Sequence, residues 1–208
     1  MVAIVDYGVG NLFSLECSLN AIRAEVVITA DPEILKKADQ VLLPGVGAFE
    51  DAAKKLRATG LDIVIKDLAA AGKPLLGICL GMQMLFEKSY EYGEHEGLGL
   101  IPGKVISMEG IVPADHKIPH IGWNALQFKK DCPIFKDIQE GDCVYFVHSY
   151  FATDCDAYVT ATAEYGPELT ASVAHKNVFG CQFHPEKSGA VGLAILKAFT
   201  QIKEADVC

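Results

Sequence analysis

The stretch GICLGMQ, residues 77–83, joins an apolar run to residues with good helix propensity. Residues 74–77 have the composition of a buried strand, so the order predicts a strand, a sharp turn at Cys79 and then a helix. Gly77 and Gly81 supply the small neighbours that such a turn needs. The pattern is typical of a nucleophile elbow with a thiol in place of a hydroxyl. The N-terminal N–H groups of the following helix favour a thiolate at Cys79.

A buried cysteine is also a common small core residue, so the elbow pattern alone leaves that alternative open. The chain has seven cysteines, at positions 17, 79, 132, 143, 155, 181 and 208. They lack the paired spacing of zinc ligands, and their number is odd. We therefore expect reduced thiols, no disulfide framework, no structural metal and no cofactor.

Strands and helices alternate along the first half of the chain. Short apolar runs predict strands, and apolar residues at helical spacing after a capping residue predict helices. The predicted strands are residues 3–6, 25–30, 40–43 and 74–77; helices are predicted after Asn11, from Asp31, over residues 61–71 and around residues 82–86. This alternation predicts a parallel sheet with ligands bound at the carboxyl ends of its strands, where Cys79 and the PGVG loop (residues 44–47) fall.

The second half is rich in β-forming segments separated by turn signals, and it closes with a helix over residues 191–202. The β-rich segments are residues 123–128, 143–148, 157–163, 172–175 and 178–183. We interpret them as antiparallel strands appended to the sheet. The predicted fold class is therefore α/β, a flavodoxin-like, mostly parallel sheet with helices on both faces, in one domain spanning residues 1–208.

Charge and hydropathy exclude several classes of function. The 208 residues carry a formal net charge of −9 and no basic stripe, which argues against a nucleic-acid partner. No apolar run approaches the length of a membrane span, and the N-terminal residues do not resemble a signal peptide, so we expect a cytoplasmic protein without membrane contact. The GVGN sequence at residues 8–11 lacks the third glycine of a dinucleotide-binding loop.

A thiol nucleophile needs a base, and His184 is the best candidate among six histidines. In FHPE, residues 183–186, the proline favours an extended backbone, so His184 and Glu186 project from the same side of the chain. The imidazole can take the thiol proton while the carboxylate orients the ring. A surface histidine beside a solvated glutamate is the alternative, and His148 is the rival base.

Together, GICLGMQ and FHPEKS resemble the class-I glutamine amidotransferases, with Cys79, His184 and Glu186 at the positions of the family's catalytic triad. The resemblance covers essentially the whole chain and implies hydrolysis of glutamine to glutamate and ammonia. It also implies an oxyanion hole from the Val46 and Leu80 N–H groups. The implied glutamine-binding residues are Gly45, Gly47, Gln83, Glu91, Ser149 and Tyr150.

Two of these assignments have alternatives. Gln83 could instead be an ordinary amide on a helix surface. The sequence around Glu91 departs from the family's more acidic run, and Glu87 or Glu94 could take its place. The two glycines of the PGVG loop permit a peptide flip that would turn the Val46 N–H into or out of the oxyanion hole, whereas a rigid turn is the competing view.

Three further motifs, DYGVGN, PGVGAF and PHIGWN, resemble one branch of the family, glutaminase subunits that pass ammonia to a separate (βα)8-barrel cyclase subunit. The chain has no phosphate-binding loop for an acceptor, which agrees with an acceptor site on a partner. The resemblance implies a heterodimer, with interface residues Asn11, Trp123, Tyr145 and Lys187. Trp123 as a core aromatic is the alternative.

Two other classes of protein stay open at this stage. The chain could be the glutaminase subunit of a different synthase, such as the one that makes pyridoxal phosphate, although that subunit should lack PHIGWN. It could also be a non-catalytic flavodoxin-like binding module in which the FHPE sequence is accidental. An inert Cys79 would then react with alkylating reagents no faster than the other cysteines.

Overall fold

The structure, a computed structural model, describes residues 1–203. Its helices are α1 (Leu12–Ala21), α2 (Pro32–Lys37), α3 (Phe49–Ala58), α4 (Leu61–Ala70), α5 (Leu80–Met84) and α6 (Gly189–Thr200). Its strands are β1 (Val2–Val5), β2 (Val26–Thr29), β3 (Gln40–Leu43), β4 (Leu75–Ile78), β5 (Phe86–Ser89), β6 (His95–Glu96), β7 (Ile101–Ser107), β8 (His120–Ala125), β9 (Gln127–Phe128), β10 (Cys143–His148), β11 (Tyr150–Thr153), β12 (Val159–Glu164), β13 (Glu168–His175) and β14 (Val178–Cys181).

An eight-stranded sheet with the order β2-β1-β3-β4-β14-β13-β12-β9 forms the centre of the protein. The strands from β2 to β14 pair in parallel, and those from β14 to β9 pair antiparallel. The predicted α/β sheet with appended antiparallel strands is confirmed. The carboxyl ends of β3 and β4 lie side by side, which brings the PGVG loop next to Cys79.

Helices cover both faces of the central sheet, as the alternation predicts. Apolar side chains alternate along β1, β3 and β4, because successive residues of a strand point to opposite faces. One set packs against α2, α3 and α4, and the other packs against α1 and α6. The sheet is therefore buried on both sides and holds its strand ends rigidly.

Local capping signals are read correctly from the sequence. The Asn11 side chain accepts a hydrogen bond from the Ser14 N–H at the start of α1. Asp31 caps α2 in the same way, through the Glu33 N–H at 2.8 Å, with Pro32 at the first helical position. Helix α3 was not predicted, because its cap residue Ala48 provides no side-chain hydrogen bond.

Two predictions about regular structure are wrong. Residues 82–86 are not one helix, because α5 ends at Met84 and Phe86 begins β5. Strand β5 pairs with β7, a partner that the local sequence did not reveal, so long-range pairing overrides helix propensity. Strands β8 and β10 also do not join the central sheet. They pair with each other in a separate sheet, and a third sheet has the order β11-β7-β5-β6.

No helix within residues 1–203 is long and apolar enough to cross a membrane. The six cysteines in that range are free thiols, and Cys208 lies outside the described residues.

The fold makes a prediction about Gly81, where a Cβ atom would lie 1.9 Å from the Leu43 carbonyl oxygen. The Cβ position is set by the backbone of Gly81, and the oxygen belongs to the backbone of β3, so neither atom can move aside unless the main chain shifts. We expect Gly81→Ala to destabilise the protein by about 3 kcal/mol or more, which lowers Tm by roughly 6 °C or more. Calorimetry or thermal unfolding by circular dichroism measures the change.

Gly60→Ala is the control, because Gly60 has a φ of 71° but nothing within 4 Å of an added Cβ. It carries only the cost of a left-handed alanine, about 1–2 kcal/mol. An equal loss of stability in the two variants would contradict the close contact at Gly81.

Candidate active site

Cys79 lies between β4 and α5 with a φ of 55° and a ψ of −112°, a strained conformation for a residue with a side chain. Its N–H donates to the Cys181 carbonyl at 2.7 Å. An added Cβ at Gly77 would lie 2.7 Å from the Gly81 carbonyl oxygen. The two glycines are therefore required by close backbone packing, and the elbow geometry expected from the sequence is present.

A cavity of about 710 Å³ opens above Cys79. It is lined by Val46, Gly47, Cys79, Leu80, Gln83, Glu91, Tyr92, Ser107, Glu109, Ile118, Pro119, Val147, His148, Ser149, Tyr150, His184 and Lys187. Most of the residues predicted from the sequence to bind glutamine or perform catalysis are in this set. The structure thus brings together residues from both halves of the chain.

His184 and Glu186 form a buried pair at the edge of this cavity. The imidazole Nδ1 lies 2.7 Å from Glu186 Oε1, and the two side chains are only 3% and 4% exposed. Two hydrogen bonds fix the backbone from which the ring projects. The His184 N–H donates to the Tyr145 carbonyl, and the His184 carbonyl accepts from Ser188 Oγ. The alternative of a surface histidine with a solvated glutamate is wrong.

Two opposing effects act on the charge of His184. Burial by itself would lower its pKa, but the adjacent Cys79 sulfur, as a thiolate, and the Glu186 carboxylate raise the pKa of His184 to about 9. Both neighbours therefore favour the protonated form of the imidazole. The second oxygen of the carboxylate, Glu186 Oε2, is buried and has no hydrogen-bond partner among residues 1–203.

The PGVG loop packs directly onto the elbow. An added Cβ at Gly45 would lie 2.7 Å from the Gly81 N, so the loop approaches closer than any side chain allows. The buried Tyr7 hydroxyl donates to the Pro44 carbonyl at 2.7 Å, and burial raises the pKa of Tyr7, which keeps this donor protonated. The base of the loop is thus held firmly, while Val46 is 43% exposed.

Gln83 is 5% exposed, so the alternative of an amide on a helix surface is wrong. Its Nε2 donates to the Tyr150 carbonyl at 3.1 Å and to Gln182 Oε1 at 3.0 Å. Both amide protons are therefore used within the chain. The Oε1 atom remains as an acceptor for a ligand in the cavity.

The sequence patterns did not indicate Gln182 as a site residue, although its side chain contacts the Cys79 sulfur. Its Nε2 donates to Cys79 Sγ at 3.8 Å, and its side chain is fully buried. The signal was available, since in an extended chain residue 182 projects to the same side as His184 and Glu186. The amides of Gln83 and Gln182 form a continuous chain that ends at the nucleophile.

Glu91, Glu87 and Glu94 are the alternative candidates for binding the substrate, and of these three Glu91 lines the cavity. Its Oε2 accepts from the Phe49 N–H at 2.6 Å and so caps α3. Glu87 accepts instead from the Gly103 N–H, and Glu94 pairs with Lys88. The position of Glu91 relative to the cavity favours it over the other two.

His148 also lines the cavity, but both of its ring nitrogens have protein partners. Nδ1 lies 2.9 Å from the Tyr150 carbonyl oxygen, and Nε2 lies 3.1 Å from His120 Nδ1. No nitrogen is left to serve Cys79. This geometry argues against His148 as the base.

Three residues predicted at a partner interface form a cluster beside the cavity. Trp123 is 56% exposed and contacts Tyr145 edge-on, with 6.0 Å between ring centroids. Lys187 Nζ lies 5.8 Å from the Tyr145 ring centroid. The alternative that Trp123 is a core aromatic is wrong. Asn11 caps the start of α1 and is not in this cluster; it lines a small neighbouring cavity together with His184 and Glu186.

Comparison with known proteins identifies the family of the chain. The family model for class-I glutamine amidotransferases matches residues 3–201, and the chain belongs to that family. It is 49% identical to imidazole glycerol phosphate synthase subunit HisH of Caldanaerobacter subterraneus subsp. tengcongensis, with 97% of this chain and 98% of that relative covered. The HisH subunit of Sulfurimonas denitrificans is also 49% identical, with 98% and 99% covered.

Solved structures with lower identity share the fold. The structure of PurLQS from Thermotoga maritima has a TM-score of 0.71 and 19% identity, with 95% of this chain and 96% of that chain covered. At this identity the likeness concerns the fold alone.

The contact between Gln182 and Cys79 generates a prediction. Hydrogen bonds to charged groups contribute about 1.5–3 kcal/mol. Gln182→Leu should therefore lower kcat/KM for glutamine about 10- to 100-fold and slow the alkylation of Cys79 by iodoacetamide. Peptide mass spectrometry follows the alkylation of that thiol.

Gln40→Leu is the matched control, because Gln40 is a buried glutamine whose Nε2 donates to the Ile202 carbonyl, distant from the elbow. It should lose similar stability and keep the reactivity of Cys79. If Gln182→Leu leaves the alkylation rate of Cys79 unchanged, the amide does not stabilise the thiolate.

Proposed function

We propose that the chain is the glutaminase subunit of imidazole glycerol phosphate synthase, with Cys79, His184 and Glu186 as its catalytic triad. The observation that carries this proposal is a strained cysteine that shares one cavity with a buried histidine, whose Nδ1 contacts the Glu186 carboxylate. The near full-length similarity to HisH subunits supports the choice of synthase. Residues 1–208 act as one glutaminase domain in this proposal.

The proposed reaction has two stages. The Cys79 thiolate attacks the amide carbon of glutamine, and the C–N bond breaks as His184 gives its proton to the departing ammonia. The neutral imidazole then takes a proton from water, whose oxygen attacks the carbonyl carbon of the glutamyl thioester. The C–S bond breaks, glutamate leaves, and the Cys79 thiolate is restored beside the protonated imidazole. The Glu186 carboxylate holds the ring in place and stabilises its cationic form in both stages.

The developing oxyanion needs two N–H donors. The Leu80 N–H follows the nucleophile and begins α5, where it has no intrahelical partner. We assign the second donor to the Val46 N–H, because the PGVG loop packs against the elbow at Gly45. Gly47, with a φ of 91°, gives the exposed end of the loop its turn.

Glutamine recognition follows from the free polar atoms around the cavity. We assign Gln83 Oε1 as an acceptor for the substrate ammonium group, since both protons of that amide are already donated. Glu91 adds a negative charge nearby, with one oxygen fixed by α3. The backbone of Ser149 and Tyr150 faces the carboxylate end of the substrate.

The proposed partner is the (βα)8-barrel cyclase subunit of the synthase, which makes imidazole glycerol phosphate and aminoimidazole carboxamide ribotide. Ammonia released into neutral water would be protonated and lose its nucleophilicity, so a dry path into a docked partner is required. Trp123, Tyr145, Lys187 and Asn11 are the proposed contacts. The compartment is the cytoplasm, with no nucleic acid or membrane as partner.

The triad is tested by Cys79→Ala. This variant should lose glutaminase activity by about 10⁴-fold or more, because no other group can form the thioester. Its stability and cyclase binding should be unchanged, since alanine is smaller and adds no new contact. Turnover is measured by glutamate release from the complex with the cyclase.

An electrophilic glutamine analogue provides the complementary measurement. Peptide mass spectrometry should find it on Cys79 and not on the other cysteines. Retained turnover in Cys79→Ala, or equal labelling of several thiols, would reject the triad and favour a non-catalytic binding module.

Trp123→Ala tests the docking surface. An exposed tryptophan at the centre of an interface typically contributes about 2 kcal/mol or more, so Kd for the cyclase should rise about 30-fold or more. Stability should change by less than about 0.5 kcal/mol, because the side chain is largely exposed. Calorimetric titration with the cyclase measures Kd.

Ile63→Ala on α4 is the control, because Ile63 is similarly exposed on a different part of the protein. It should leave Kd unchanged. Normal binding by Trp123→Ala would reject this docking face. If the cyclase does not bind the unmodified chain and a different synthase does, the chain serves that synthase instead.

A further inference from the structure

A buried chain of hydrogen bonds runs from β8 to the wall of the cavity. His120 and His148 are cross-strand partners in the β8–β10 pair, and they are 4% and 7% exposed. Asn124 Nδ2 lies 3.4 Å from His120 Nε2, and His120 Nδ1 lies 3.1 Å from His148 Nε2. The chain ends where His148 Nδ1 meets the Tyr150 carbonyl oxygen at 2.9 Å.

The donors and acceptors of this chain can be assigned in only one order for neutral rings. A carbonyl oxygen only accepts, so His148 Nδ1 carries a proton and Nε2 accepts. His120 must then donate from Nδ1, and its Nε2 accepts from the Asn124 amide. That amide is fixed independently, because its Nδ2 donates to the Glu164 carbonyl at 2.7 Å and its Oδ1 accepts from the Ala125 N–H.

The surroundings keep both rings neutral and immobile. Burial lowers the pKa of His120 to about 4, and burial lowers the pKa of His148 to about 3. His120 is stacked between Phe146 and Tyr165, with ring centroids 4.9 Å and 4.0 Å away. Neither imidazole can therefore rotate or charge without breaking the chain.

The Tyr150 carbonyl accepts two hydrogen bonds, one from His148 and one from Gln83. We infer that His120 and His148 are positioning residues, which fix the Ser149–Tyr150 backbone so that it can bind the carboxylate end of glutamine. This inference rests on the proposed function, which places glutamine in this cavity. The histidines act on substrate affinity rather than on bond breaking, because they have no nitrogen free for the substrate.

The order of the chain has a spectroscopic signature. Both rings should be neutral Nδ1–H tautomers, whereas free neutral histidine in water favours the Nε2–H form. Two-bond ¹H–¹⁵N spectra of the ¹⁵N-labelled protein at pH 7 should show protonated Nδ1 and unprotonated Nε2 for both residues. His120→Asn and His148→Asn identify the signals. An Nε2–H tautomer or a cationic ring at either position would overturn the inference.

Kinetics of the complex with the cyclase test the positioning role. His120→Leu removes the donor to His148, and a lost hydrogen bond costs about 0.5–1.5 kcal/mol. KM for glutamine should therefore rise about two- to tenfold, with kcat nearly unchanged. His120→Asn places an amide donor near the lost Nδ1 and should restore most of the affinity.

The outcomes separate this inference from the proposed function. An unchanged KM in His120→Leu, or equal losses of kcat and stability in the Leu and Asn variants, would overturn the positioning role. If the unmodified complex hydrolyses no glutamine while the spectra show both Nδ1–H tautomers, the proposed function fails and the hydrogen-bond chain stands.

Discussion

The site depends on backbone-to-backbone contact around Cys79. The strained turn persists because Gly81 packs against the end of β3 with no space for a side chain. Gly45 packs equally closely against the backbone of Gly81. The nucleophile and the Gly45 end of the PGVG loop are thereby held close together. In general, hydrogen-bond donors that are held in place before a reaction stabilise a transition state without the cost of reorganisation.

Buried polar groups then connect this backbone frame to the cavity. The His184–Glu186 pair, the Gln83–Gln182 amides and the His120–His148 chain are each hidden from water and each end at the cavity wall. An unpaired buried polar atom is costly, so such networks admit few alternative arrangements. They restrict the side chains around Cys79 more strongly than apolar packing would.

Short sequence patterns predicted much of the fold and of the candidate site. The elbow at Cys79, the caps at Asn11 and Asp31, and the parallel sheet followed from short patterns whose physical cause is local: backbone sterics, helix ends and the alternation of strand faces. The same local geometry paired His184 with Glu186, because two residues in an extended chain project to one side. The same two-residue period, extended one step before His184, would also have indicated Gln182.

Only the tertiary structure decided which distant groups meet. Residues 82–86 have helix propensity, yet Phe86 begins a strand because β7 supplies hydrogen bonds from outside the local segment. His148 has the chemistry of a base, yet its cross-strand neighbour His120 occupies the nitrogen that a base would use. Trp123 is as apolar as a core residue, but β8 leaves it exposed. The sequence by itself determined the turns, caps and chemical groups, whereas cross-strand register and burial determined which of those groups are free to act.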